Sequence, residues 1–423
     1  MRIGYLLAEF PGATHSFNWR EVRALEARGL TCDLVSTRRP SADKMSHVWT
    51  TEALARTTYL FPPRPALLAG AIGSIFRSGP LGWARLVSAI LTAEGIHGVK
   101  GRGRLAVLAV MGAELAGLAR RRGWKYIQVH SLADTAHVAM FAHLISGQRY
   151  GLTLHANLPE FGPNQKNKWK HADYAICITN RLRDCLRKEL PGSIPGRIDV
   201  APMGVELERF TRSAAYEPWQ GKGEARLFAC GRLNFGKGHD QLVRAIRLLR
   251  DQGVEARLRI AGYDGGSGFR AELERLIDEL KLGQCVELLG ALSEPAVRQE
   301  LQQAHLFALV SRSDELGVAT MEAMAMCLPA VVSRTGGVAE MIDDGVDGVL
   351  VESDPAAIAA ALARILRDPE LARGIGQAGR RKIERKFHSG ISAATLLRYL
   401  GVDDEGKTLA TAPTASVGQV VDA

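Results

Sequence analysis

Three groups of residues in this 423-residue chain have the types and spacing that chemistry needs. The densest spans residues 311–342, SRSDELGVATMEAMAMCLPAVVSRTGGVAEMI. It opens on adjacent carboxylates, Asp314 and Glu315, followed by Leu316, Gly317 and Val318 at the start of a helix-compatible run. An acidic loop with a glycine at a helix start leaves bare backbone N–H groups and a positive dipole end, which suit an anion. Glu322, one turn further in, has the wrong charge for a phosphate but is a good acceptor for the paired hydroxyls of a ribose. Phosphate at the helix tip and a diol one turn down is the geometry of a sugar nucleotide. The plainer reading is ordinary α/β packing, with Met321, Met324 and Met326 as core filler. The second group is GRLNFGK, where Gly231 and Gly236 allow close backbone approach and Arg232 and Lys237 supply two cations at a strand end. Two cations neutralise a diphosphate well in a partly dry site, although surface Arg and Lys are more often simply solvated. The third group is a pair of histidines, His130 and His155, each closing a strand. Ligands of doubly wound sheets bind outside the carboxyl ends of strands. A structural histidine is the competing reading, and it is stronger for His130.

Alternating strand and helix patterns position these groups twice over. Residues 2–10 read as a buried strand, Pro11-Gly12-Ala13-Thr14 as the turn after it, 17–28 as a helix closed by Gly29, and 30–36 as a second strand. This βαβ opening lacks a GxGxxG turn, and Gly12 reads equally as a plain turn glycine. Strands follow at 126–130, 150–155 and 174–178, with a polar loop and helix start at 160–171 whose three lysines suit a cleft rim or acceptor contact. Pro218, Gly221 and Gly223 mark residues 211–224 as a linker. A second series then runs from a strand at 226–230 through strands at 257–262, 286–289, 306–310 and 330–333 to helices at 356–367, 371–387 and 391–400. The fold class is therefore α/β, with a cleft expected between two Rossmann-like halves.

Residues 313–342 resemble the acidic motif of the retaining glycosyltransferases of family 4: two glutamates separated by seven residues, then EAMA, a proline, a short strand and GG. The second glutamate falls on Glu322. The first falls on Asp314, one methylene shorter, with Glu315 as the alternative occupant. GRLNFGKGHDQLVRAIRLL resembles that family's GRL...KG phosphate-binding turn, and IDVAPMGVELERF its GVD..F turn with Glu206 replacing the aspartate. The resemblance is strong over 226–390 and looser over 1–210. It implies the GT-B architecture: an acceptor-binding domain (1–210) and a nucleotide-sugar-binding domain (225–388) facing each other across a cleft. A helix at 389–402 crosses back to the first domain, and 403–423 is expected to be a disordered tail.

The roles that follow are those the resemblance implies. Arg232 and Lys237 hold the diphosphate, helped by Gly231 and the backbone of Leu316, Gly317 and Val318. Glu322 binds the ribose, Gly290 and Leu292 line the base pocket, and Asp314 or Glu315 contacts donor-sugar hydroxyls. His155 lies near the reacting carbon, while Gly12, Thr14 and His130 lie on the acceptor side. No cofactor is implied, and no metal: the chain contains no Asp-x-Asp. The implied activity is hexosyl transfer with retention, from a UDP-sugar in preference to a GDP-sugar, to a lipid-linked saccharide in exopolysaccharide or envelope-glycan synthesis. A nucleotide-sugar 2-epimerase and a non-catalytic sugar-nucleotide binder are the alternatives.

Composition narrows the setting. A hydrophobic content of 46% with 23% charged residues marks a globular rather than a disordered chain. Six scattered cysteines without a CxxC read as reduced core thiols of a cytoplasmic protein. Met1-Arg2 leads directly into strand-like sequence, so no signal peptide is expected, and no apolar run reaches the roughly 18–20 residues of a spanning helix. The net charge of +9 is concentrated in residues 56–125, where eleven Lys/Arg face two Asp/Glu. No nucleic-acid-binding motif accompanies it, so nucleic acid is a poor partner. Phe76 and Trp83 beside Arg77 and Arg85 suit the inner face of an anionic membrane better, or an anionic lipid-linked substrate.

Overall fold

The computed structural model describes residues 1–12, 15–41, 48–62 and 65–403. They form two α/β units. The first comprises residues 1–201 apart from 46–48, together with residues from 392 onward; the second is essentially 202–391.

The first unit is built on strands β1 (Arg2–Glu9), β2 (Thr31–Arg38), β3 (Thr58–Tyr59), β4 (Ile127–His130), β5 (Tyr150–Leu154), β6 (Tyr174–Cys177) and β7 (Ile198–Val200). All pair in parallel, in the order β3-β2-β1-β4-β5-β6-β7. Every residue of β4, β5 and β6 is buried, as expected where helices cover both faces of a parallel sheet. The helix Gly390–Leu400 seals one side of this core with Ala393, Leu396 and Leu397. Its Tyr399 stacks on Tyr174 with ring centroids 4.4 Å apart.

The second unit carries β8 (Ala225–Cys230), β9 (Ala256–Ala261), β10 (Val286–Gly290), β11 (Leu306–Leu309), β12 (Ala330–Ser333) and β13 (Val349–Val351). Their order is β10-β9-β8-β11-β12-β13, again all parallel. Both sheets thus reverse their winding beside their first strand, between β1 and β4 and between β8 and β11. Such switch points open a crevice at the strands' carboxyl ends.

Several elements were not legible in the sequence. The edge strands β3 and β13 have two and three residues, too few for a period to register. The helix Gly98–Arg122 opens on Gly98, Gly101 and Gly103, which in the sequence read as breakers. Each costs the helix only about 1 kcal/mol, which packing offsets. Lys168 lies on no rim: it is fully buried in the helix Gln165–Lys170, and its Nζ donates to the Phe161 carbonyl at 3.0 Å. Thr14 and residues 404–423, the expected tail, lie outside the described residues.

The methionines of the acidic stretch are core. Met321, Met324 and Met326 are buried, the first two on the helix Val318–Ala325. Met324→Ala is expected to lower the unfolding free energy by about 2–5 kcal/mol, as for other large-to-small core substitutions. Urea denaturation measures this, and a loss below that range would mean that the methionine packs loosely.

Candidate functional site

In the second unit the site grows from the carboxyl ends of β8 and β11. Beyond β8 the chain makes a short 3-10 turn, Phe235–Lys237, capped by the Asn234 side chain, which accepts from the Lys237 N–H at 3.1 Å. Gly238 follows with φ +67°, and a Cβ there would lie 2.0 Å from the Val310 carbonyl oxygen. Only glycine lets this turn lie against the end of β11. Gly262, after β9, is equally constrained, its missing Cβ facing the Gly231 carbonyl oxygen at 2.0 Å. The Gly262 N–H donates to the Gly290 carbonyl at 2.8 Å, so Gly231, Gly262 and Gly290 lie side by side along the sheet edge. Gly231 and Gly236 themselves press on no backbone; the tight approaches beside this turn belong to Gly238 and Gly262.

Lys237 and Asp314 join the two loops: Lys237 Nζ donates to Asp314 Oδ2 at 2.6 Å. Asp314 also accepts from the Ser311 hydroxyl at 3.3 Å and from the Glu315 N–H at 3.1 Å. Gly336, at φ +50° in the Thr335-Gly336-Gly337 turn, supports this loop from behind, where a Cβ would meet the Asp314 carbonyl oxygen at 1.9 Å. Arg312 clamps the Phe235–Lys237 turn from outside. It forms a bidentate pair with Asp240 at 2.7 and 2.6 Å and lies over the Phe235 ring at 3.9 Å. The helix Val318–Ala325 starts at Gly317 without a side-chain cap, and Gly317 has no room for a Cβ beside the Thr320 hydroxyl. Glu322 is 8% exposed, and its charge adds to the burial that pushes the Cys230 thiol up to about 12, which sets the carboxylate near the end of β8. Arg232 is exposed and forms no ion pair among the described residues. Leu292 lies half-buried in the loop after β10.

In the first unit, the predicted His130 and His155 meet: His130 Nδ1 lies 2.9 Å from His155 Nε2. On its other side, His130 Nε2 lies 3.1 Å from Glu21 Oε2, which also accepts from the Tyr5 hydroxyl at 2.6 Å. Glu21 comes from the helix Ser16–Glu26. Burial opposes ionisation of Glu21, but the charge and hydrogen bond of His130, with bonds from Tyr5 and Ser392, outweigh it and hold the carboxyl below its ordinary value. Burial, reinforced by His130 and His15, holds His155 well below the ordinary histidine value. It is therefore neutral at pH 7. Two proton arrangements satisfy this row. With His130 neutral, His155 donates to it and presents a bare Nδ1; with His130 charged, the proton lies between the rings and His155 Nδ1–H is a donor. Either way Nδ1 of His155 is buried and has no hydrogen-bond partner among the described residues. Gly12 turns the chain after β1, and a Cβ there would lie 2.8 Å from His15 Nδ1.

Sequence reasoning missed Glu21, Arg312 and Asp240. A signal existed for Glu21, which interrupts the buried face formed by Trp19, Val22 and Leu25.

Residues 218–382 match the family model described as glycosyl transferases group 1. Among curated proteins, the amylovoran biosynthesis glycosyltransferase AmsK of Erwinia amylovora is 32% identical over 214 residues, 48% of this chain and 50% of that protein. The chain thus spans half the length of this relative. The putative colanic acid biosynthesis glycosyltransferase WcaL of Escherichia coli K12 aligns over 95% of this chain and all of its own length at 25% identity. Two solved structures share the fold over 95% of this chain and 99% of theirs, each with a TM-score of 0.71. They are a sucrose-phosphate synthase from Thermosynechococcus elongatus at 19% identity and Anabaena HepE in complex with UDP and glucose at 16%. The architecture is GT-B.

Five histidines among the described residues are held below their ordinary value, His171 more mildly than the other four. Burial is the leading cause for each: it takes His137 to about 3, His239 and His305 to about 4, and His155 well below the ordinary value. The unfolded chain protonates them near pH 6.5, so their contribution is full above that pH and is lost as the pH falls below it. The expected slope is up to about 1.4 kcal/mol per pH unit for each histidine. Denaturant titrations from neutral pH downward measure it, and a stability that rises on acidification contradicts the assignment.

Proposed function

Residues 218–382 are group 1 glycosyl transferase sequence, and from that premise we propose that the chain transfers a hexosyl unit from a UDP-sugar to a saccharide acceptor, with retention at the anomeric carbon. The observation that carries this reading is the Lys237–Asp314 pair, which joins the loop after β8, where Arg232 also lies in sequence, to the loop that leads into the uncapped helix start at Gly317. That combination suits a diphosphate, and the buried Glu322 beside it suits a ribose diol. UDP is favoured as the carrier because the fold relative HepE is described with UDP. A place in exopolysaccharide biosynthesis is favoured by the amylovoran and colanic acid biosynthesis glycosyltransferases AmsK and WcaL. The six cysteines are free, in keeping with work on the cytoplasmic side.

In the proposed reaction the bond between the anomeric carbon and the diphosphate oxygen breaks, and the electron pair leaves with UDP. Lys237 and Arg232 stabilise the charge that develops there. The acceptor hydroxyl bonds to the same carbon from the same face, and its proton passes to the departing phosphate oxygen. Asp314 aims the Lys237 ammonium in advance, which lowers the reorganisation needed at the moment of bond breaking. In this scheme Glu315 contacts sugar hydroxyls. His155 is assigned to the donor sugar.

The test is release of nucleoside diphosphate from a panel of UDP- and GDP-sugars, with and without a membrane extract as acceptor source. Lys237→Ala removes a charge-assisted contact and is expected to weaken UDP binding by about 1.5–3 kcal/mol, roughly 10–150-fold. Glu322→Ala is expected to do likewise through the ribose. Turnover that requires the extract and is lost in both variants supports the transferase. Turnover without acceptor favours a 2-epimerase, and UDP binding without turnover favours a passive binder.

A further inference from the structure

The first unit carries a helical pair whose inner and outer faces differ in character. The helices Pro65–Arg77 and Gly79–Leu91 turn Ala71, Ile75 and Leu86 inward, onto Ala113 and Ile145. Their outer faces are also apolar. Leu81 is 74% exposed and Phe76 67%, and Ile72, Trp83, Val87 and Leu91 are exposed as well. Trp83, Val87 and Leu91 recur every fourth residue and so form one stripe along their helix. Trp83 meets Phe76 edge to face at 5.9 Å, which makes the two helices' outer faces continuous. Single exposed apolar residues are commonplace; a contiguous set covering two helices is not.

Charge identifies what covers this face. Residues 56–125 hold eleven Lys/Arg against two Asp/Glu, of which Arg56, Arg104 and Arg122 are paired with acids from outside the segment. Arg77 and Arg85, which flank the apolar set, form no ion pair among the described residues. Arg102 caps the second helix by donating to the Ile90 carbonyl at 2.7 Å, which holds the pair in place from below. No helix among the described residues is long and apolar enough to cross a membrane. An apolar face edged with unpaired arginines, on helices too short to span, matches the interface of an anionic bilayer.

We propose that this face docks on an anionic membrane surface, with Phe76, Leu81, Trp83, Val87 and Leu91 at the acyl boundary and Arg77 and Arg85 at the level of the lipid phosphates. The proposal rests on the surface alone and is independent of the transferase reading.

The test is sedimentation of the full chain with vesicles of phosphatidylcholine, with or without a minor fraction of phosphatidylglycerol, at low and high salt. The wild type is expected to bind the anionic vesicles, to bind less at high salt, and to leave the neutral vesicles largely free. Leu81→Ser/Val87→Ser and Arg77→Glu/Arg85→Glu are each expected to weaken binding by about tenfold or more. Both pairs are solvent-exposed, so thermal melting and UDP binding serve as checks that the variants fold. Equal vesicle binding by variants and wild type overturns the proposal, as does a wild type that ignores anionic vesicles. A wild-type dimer in ultracentrifugation that Leu81→Ser/Val87→Ser dissolves, without lipid binding, shows instead that the face holds a second copy. Loss of vesicle binding with UDP binding intact leaves the transferase reading untouched.

Discussion

The ion pair between Lys237 and Asp314 is the contact on which the second unit's site depends. It ties the loop after β8 to the loop after β11, two segments 77 residues apart in sequence, at the point where the sheet reverses its winding. Both side chains are largely out of water, so desolvation cancels much of their attraction and the pair adds little net stability. Its contribution is placement. A lysine has four rotatable bonds and, left alone, would spread its charge over many positions. Held by a carboxylate that is itself fixed by Ser311 and the Glu315 N–H, it offers its remaining protons in one direction.

Backbone geometry makes that pair possible. Gly238 and Gly336 each occupy a left-handed conformation with a carbonyl oxygen where a Cβ would be, Val310 in one case and Asp314 in the other. The loops approach this closely only because neither position has a side chain. Arg312 adds an outer brace through Asp240 and the Phe235 ring. A shorter acid fits here: Asp314 reaches Lys237 from a loop already pressed against Gly336, where an added methylene needs extra space.

The first unit solves a related problem with hydrogen bonds. Tyr5, Glu21, His130 and His155 form a row in which each polar group satisfies the next, and among the described residues only the buried Nδ1 at its end lacks a hydrogen-bond partner. Buried polar groups are costly unless paired, so the row specifies ring orientation as well as stability.

Residue type and local spacing determined the fold class and the alternation of elements, and they singled out Glu322, Asp314, Arg232 and Lys237 as candidates, because each of these is written within one strand-turn-helix segment. His130 and His155 were legible as strand-end residues for the same reason. Tertiary structure alone decided that they touch, that Glu21 backs them, and that Asp314 rather than solvent takes Lys237. It also decided that Arg312 pairs with Asp240, 72 residues away. Such pairings depend on which strand ends the sheet order brings together, and no local period in the chain records that order. The steric need for glycine at Gly238 and Gly262 was hidden likewise, since the carbonyl oxygens that exclude a Cβ come from other strands.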